Sequence, residues 1–470
     1  MRLMLTLLFS LFLATSCKPT VQYRPIIYVD ERIELMNIVF RLADVPYYQS
    51  NLITPYTSAI DDYFLQYKDH DLIKFTAELW QQYYISSDAV AGYAVLLEIT
   101  DGEVDFIDNV ELVFDSRWKG NDPYIFLEKL TDFYKESGFH TFFKKSKPLY
   151  QKAIDRYNSG YIETDFGWFD DYFGIKRGKE NFNIIINLLD EFSYGPKAIF
   201  SDGSEKIYAI VGTYLADDTG YPEYEEASYH IVIHELIHSY TNSLIDEYST
   251  QLEAINSIFY NYTADHLRSS GIGSSRLFLY ETLVRASEIQ YHKIHSTPTL
   301  WHKRLNLEHY TGFLWLGELC HLMETEYELK RDKYSDLGSF MPCIVEFLNT
   351  LSPERLSEKL ASDAVSVIGS SIVCEDEKVS PQTKTLTITF DRTMFTEGDS
   401  YSVLGREIAA ESNYEKISAS WSENAKELTL NLDLKPNTKY SIIIHPYNFM
   451  GIDYKSMNKK FTIEFKTSAS

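Results

Sequence analysis

Three residues in the run IVIHELIHSY (231–240) could do chemistry together: His234, Glu235 and His238. Imidazoles four residues apart lie on one face of a helix, about 6 Å from each other, within reach of one metal ion. The glutamate after the first of them then stands beside the ion's open position, where it can take a proton from water. That chemistry is hydrolysis, and Zn2+ is the ion this spacing serves. His230 extends the series to i, i+4, i+8, but it lies about 12 Å from His238 along the axis, too far to share the ion.

A catalytic zinc takes three protein ligands and leaves a place for water. A third histidine close behind is excluded, because position 241 is Thr and position 244 is Leu. A glutamate from a second helix is the alternative, and SSRLFLYETLVRASEIQYHKI (274–294) contains Glu281 and Glu288. The two share one helical face about 10.5 Å apart, so only one can reach the ion. Leu277, Val284 and Tyr291 share that face and turn it inwards. Arg285 can pair with either glutamate, at i+4 or i−3. Spacing alone leaves the choice open, with a histidine between 292 and 309 as the remaining alternative. Asn242, one turn beyond His238, can steady that imidazole. His292, His295 and His302 read as surface or packing histidines.

These residues need elements to hold them. Pro222 precedes the histidine helix, and Glu223, Glu225 and Glu226 sit near its start, where the macrodipole favours acid. Ile233, Ile237, Tyr240 and Leu244 form a narrow apolar stripe, and no proline or glycine interrupts before Gly271. Upstream, DERIELMNIVFRLADV places Ile33, Met36, Val39 and Leu42 at helical spacing behind a capping Asp30. NFNIIINLLD (181–190) and KIYAIVGTYL (206–215) are β-branched and aromatic runs and read as strands. The second is a candidate sheet edge for pairing with an extended peptide. Beyond residue 362, TLTITF (385–390), ELTLNL (427–432), YSIIIH (440–445) and FTIEFKT (461–467) alternate apolar and polar, as in a β-sandwich.

Across the 470 residues, 44% are hydrophobic and 24% charged, which describes an ordinary globular protein of two or three domains. A net charge of −24 argues against nucleic acid, which needs a basic footprint, and against basic docking on anionic lipid. The opening MRLMLTLLFSLFLATSCKPT has a short positive region, an apolar run and small residues before Cys17. It reads as a secretory signal and resembles the bacterial lipobox, which implies a lipid on Cys17 and a place in the bacterial cell envelope. Cys320, Cys343 and Cys374 form no CxxC pair. A Cys320–Cys343 bridge is open to an exported protein, and buried free thiols are the expected state.

Two stretches resemble known families. DERIELMNIVFRLADVPYY with PYTSAIDDYFLQYKDHDLI, then IVIHELIHSYTN, then YETLVRASEI resemble the bacterial HExxH proteins of domain-of-unknown-function family 4932, over about residues 25–350. The resemblance implies a gluzincin-like metallopeptidase fold, with His234, His238 and Glu281 as ligands and Glu235 as the base. TLTITFDRTM, LTLNLDLKPNTKYSIII, Gly451 and FTIEFKT resemble the bacterial Ig-like domain, which implies a spacer or accessory module. The expected architecture is α+β: a signal over 1–16, a tether over 17–29, a mainly helical zincin-like domain with a small sheet over 30–360, and an all-β Ig-like sandwich over 363–470. The expected function is a lipid-anchored zinc metallopeptidase acting on peptides or proteins. A retired binding scaffold on the same fold, or a metallohydrolase of another amide bond, are the alternatives.

Overall fold

The computed structural model describes residues 25–253, 274–352, 364–372, 378–396, 418–444, 449–453 and 457–469, with a few single residues between. The signal segment, Cys17 and Cys374 lie outside the described residues. The fold is mixed α+β, with many helices and small sheets. Helices α1 (Glu31–Leu42), α2 (Thr54–Phe64), α3 (Asp71–Tyr83), α4 (Asp88–Ala94), α5 (Asp122–Ser137), α6 (Phe139–Gly160) and α7 (Phe166–Phe173) come first. Then follow α8 (Glu226–Glu247), α9 (Ser275–His295), α10 (Pro298–Tyr310), α11 (Leu316–Leu322) and α12 (Leu337–Asn349). Asp30 caps α1 as its sequence predicts, its side chain accepting from the Arg32 N–H.

Strand β1 (Ile27–Tyr28) precedes α1. These residues, read from sequence as the end of a tether, pair parallel with β4 (Phe182–Ile186). Ile27 and Val29 are buried, and that burial holds them to the sheet. After the two-stranded hairpin of β2 (Leu97–Thr100) and β3 (Glu103–Phe106), β5 (Lys197–Ile199) and β6 (Glu205–Val211) complete the sheet β1-β4-β6-β5. The first three strands run parallel and β5 is an antiparallel edge. Their β-branched residues Ile184, Ile185, Ile186, Ile207 and Ile210 are buried in one core that spans Ile27 to Leu351.

A second core runs from Val365 to Phe465. One sheet, β10-β11-β9-β7, contains β7 (Val367–Ser370), β9 (Thr385–Phe390), β10 (Ala419–Trp421) and β11 (Glu427–Asn431). The other, β12-β13-β8, contains β8 (Lys378–Val379), β12 (Lys439–Ile444) and β13 (Phe461–Thr467). Leu386, Ile388, Leu428 and Leu430 of the first sheet share this core with Ile442, Ile444, Ile463 and Phe465 of the second. Cys320 and Cys343 are both free thiols: the Cys320 Sγ lies 3.7 Å from the Ala286 carbonyl, and Cys343 contacts the Tyr334 hydroxyl at 3.2 Å. Among the described residues no helix is long and apolar enough to cross a membrane.

Candidate metal centre

Helix α8 starts with a capping box, in which the Glu225 and Ser228 side chains each take the other's backbone N–H. Val232, Ile233, Leu236, Ile237 and Tyr240 are buried, a stripe wider than the sequence pattern because α8 lies between β6 and α9. The helix ends at Glu247, well before Gly271, where the Tyr248 N–H closes onto the Ile245 carbonyl at 3.2 Å. Ser274 caps α9, its hydroxyl accepting from the Leu277 N–H at 3.2 Å.

The packing of α9 on α8 brings His234, His238 and Glu281 together, each offering a ligand atom within 4.8 Å of the others. His234 Nε2 stands 3.5 Å from Glu281 Oε2, and His238 Nε2 stands 3.3 Å from Glu281 Oε1. This cluster could hold a metal ion. Glu288, the other glutamate of that face, goes elsewhere: its Oε2 accepts from His234 Nδ1 at 3.1 Å. Asn242 does the same for the second ring, its Oδ1 taking the His238 Nδ1–H at 3.0 Å. Each imidazole thus has its far nitrogen held, which aims its Nε2 at Glu281. The histidines from 292 to 309 stay outside the cluster, and His230 pairs with Glu226 at 3.3 Å.

Arg285 pairs with Glu281 and not with Glu288: its Nε and Nη2 lie 3.0 and 2.9 Å from Glu281 Oε2. Its Nη1 donates to the buried Glu308 of α10. Arg304, also of α10, reaches Glu288 Oε1 at 2.6 Å, and His292 Nε2 stands 3.6 Å from the same oxygen. A carboxylate as buried as Glu288, 1% exposed, needs such partners.

Burial opposes charge on both glutamates, but Arg285 and the two histidines hold Glu281 well below the usual carboxylate range. Arg304, with His234 and His292, does so for Glu288. Burial likewise opposes the His234 imidazolium, and Glu281 and Glu288 outweigh it, lifting that group to about 10. Glu235 is buried too, and desolvation pushes its carboxyl upward against the pull of His238 and His234. Upward tuning of this kind suits a general base working near neutrality.

The far-nitrogen contacts make a measurable prediction. Glu288→Gln and Asn242→Ala should each weaken metal affinity by about 10–100-fold while leaving stoichiometry at one ion. Chelator competition on the folded variants checks it, and unchanged affinity in both would show that the ring orientation does not matter.

The expected sheet edge is corrected. KIYAIVGTYL supplies β6, which lies inside the sheet between β4 and β5. Residues upstream turn back as β5 and cover it, with Tyr194 and Ile210 also bridged antiparallel. A hydrophobic strand run does not by itself reveal whether a neighbour covers it. The true edge touches the histidine helix: a Cβ on Gly195 would fall 2.0 Å from the Glu235 carbonyl oxygen. Glycine is required there for the close approach. Lys197 and Arg177 both reach the Ser239 carbonyl, at 3.4 and 3.2 Å, and both pair with Glu205, at 3.1 and 2.8 Å. They fasten the edge strand to α8 beside His238.

Sequence reasoning missed Arg304, Glu308 and Gly195, because each acts across elements far apart in the chain. The i, i+7 pair Glu281 and Glu288 was the available signal for two different carboxylate roles.

No curated protein matches this chain. Among solved structures, a cryo-EM reconstruction of the native conformation of E. coli alpha-2-macroglobulin matches at 18% identity, over 24% of this chain and 7% of that one. The TM-score is 0.18, and this chain spans a small part of that protein's length. A family model, described as Domain of unknown function (DUF4932), matches residues 26–347, a stretch that contains α8, α9 and the whole His-His-Glu cluster. The chain belongs to that family.

Proposed function

We propose that this protein is a zinc metallopeptidase, with His234, His238 and Glu281 as ligands and Glu235 as general base. One observation carries the reading. The two imidazole Nε2 atoms stand 3.5 and 3.3 Å from the two Glu281 carboxylate oxygens, and one ligand atom from each of the three residues lies within 4.8 Å of the others, close enough to share one ion. Two imidazoles and one carboxylate are also a donor set typical of catalytic zinc. A zinc ion held there supplies Lewis-acid activation of water and polarisation of a carbonyl. Glu235 takes the proton from the attacking water and passes it to the leaving amine. Asn242 and Glu288 keep the two rings in place, and Arg285 holds Glu281 through one oxygen. The edge strand fastened beside Glu235 is suited to align an extended peptide by backbone pairing.

The test is a peptide-library digest by the protein as isolated, after chelation, and as Glu235→Gln. Metal-dependent cleavage that disappears in the variant is expected. Cleavage surviving in Glu235→Gln would overturn the role of that residue, and no cleavage of any peptide would overturn the reading.

The same proposal extends to the two ends of the chain. Cys17 carries lipid and anchors the protein in the bacterial envelope. The two-sheet C-terminal unit is an Ig-like spacer, supported by strands that alternate buried and exposed residues, as in the second half of β13. Mass spectrometry of the membrane fraction should find an acylated peptide beginning at Cys17. An unmodified mature N-terminus elsewhere would exclude the anchor.

A further inference from the structure

The open part of the edge strand is short, and a segment far upstream makes it so. Tyr194 and Ile210 exchange backbone hydrogen bonds at 2.9 and 2.8 Å, and the Pro196 carbonyl accepts from Tyr208 at 3.0 Å. Even-numbered residues therefore bond inwards to β6, and Gly195, Lys197 and Ile199 turn their N–H and C=O outwards. The outward carbonyl of Ile199 is not open. The Glu111 N–H donates to the Ile199 carbonyl at 2.7 Å, and the Ser201 N–H donates to the Asn109 carbonyl at 2.8 Å. Val110 bridges Phe200 antiparallel between them. After Glu111 the segment leaves the edge, the Val113 N–H folding back on the Glu111 carbonyl at 2.9 Å. Among the described residues, nothing pairs with the outward backbone of Gly195 and Lys197.

We infer that residues 109–111 act as a stop that confines this enzyme to cleavage near the N-terminus of its substrates. The inference rests on the peptidase reading above. A peptide on the open edge runs antiparallel to β5, the stronger pairing. Its N-terminal side then points from Gly195 towards Ile199. Gly195 lies against the backbone of Glu235, the residue that carries the proposed base, which puts the scissile bond at that end of the open stretch. From Gly195 to the blocked Ile199 is about 14 Å of strand, room for roughly three residues before the substrate meets Glu111. Longer N-terminal portions must leave the edge and forfeit pairing. Glu111 contributes through its backbone N–H, so proline and alanine at this position separate the pairing from the side chain.

The experiment uses the full-length zinc-loaded protein and a nested series of peptides. All share one cleavable sequence and carry one to eight residues before the scissile bond. Cleavage is measured with wild type, Glu111→Pro and Glu111→Ala, and binding with Glu235→Gln by fluorescence anisotropy. Wild type and Glu111→Ala should lose about tenfold in kcat/KM once more than three or four residues precede the bond, the worth of one or two lost hydrogen bonds. Glu111→Pro should flatten that dependence. Cleavage by wild type independent of N-terminal length overturns the stop while leaving the peptidase reading intact. Short peptides that bind better than long ones, with none cleaved, overturn the peptidase reading and keep the stop. Peptides that neither bind nor react overturn both.

Discussion

Glu235→Gln should keep the metal and lose the reaction. Glutamine has the same shape and adds no charge to a residue that is 6% exposed, so α8 packs as before. His234 and His238 keep their contacts with Glu281, and zinc affinity should stay within a few-fold. The amide accepts no proton, so peptide hydrolysis should fall by about 10²–10⁴-fold, the range for a positioned general base. Circular dichroism, zinc stoichiometry and kcat/KM measured on one preparation check the three parts together. A variant that hydrolyses peptides at the wild-type rate would move the base elsewhere.

Removing a ligand should do the opposite and take the metal away. His234→Ala and Glu281→Ala should abolish stoichiometric zinc, a larger effect than the roughly 10–100-fold expected from Glu288→Gln. The order of the two carboxylates is the point: if Glu288→Gln loses the metal and Glu281→Ala keeps it, the ligand assignment is reversed. Acidity gives a second readout in the wild-type protein. Burial disfavours the His234 imidazolium, yet Glu281 and Glu288 hold its proton up to about 10 in the absence of metal. Zinc takes a neutral imidazole, so binding must release that proton. Apparent zinc affinity should therefore rise by at least about tenfold per pH unit between pH 6.5 and 8.5, where the metal-free ring is still protonated. An affinity flat over that range would mean the ring is already neutral.

Much of this site was legible in the sequence. The ring pair His234 and His238 follows from i, i+4 spacing on a helix, which is local geometry. The glutamate-bearing helix was legible too, from the inward face of Leu277, Val284 and Tyr291; Val284 and Tyr291 are buried. The strands TLTITF and FTIEFKT coincide with β9 and β13, because period-two alternation is itself the signature of a half-buried strand. The end of α8 was not legible: no glycine or proline marks Tyr248, and the stop comes from hydrogen bonds made as the chain turns.

The amino-acid sequence by itself determined that two imidazoles would share one helix face with Glu235 beside them, since that depends only on residues within two turns. It also determined that two carboxylates would line a second helix, and that the C-terminal residues would form strands. Tertiary structure alone decided which carboxylate meets both Nε2 atoms. Arg285 can reach either glutamate along its own helix, and Glu308 of α10 holds it on the side of Glu281. Arg304 of the same helix takes Glu288, leaving its other oxygen to His234 Nδ1. The edge of the sheet was settled in the same way, by Gly195 against the Glu235 carbonyl and by residues 109–111 against Ile199. Such choices are made by groups tens of residues apart, whose pairing energy exists only once the chain has brought them into contact.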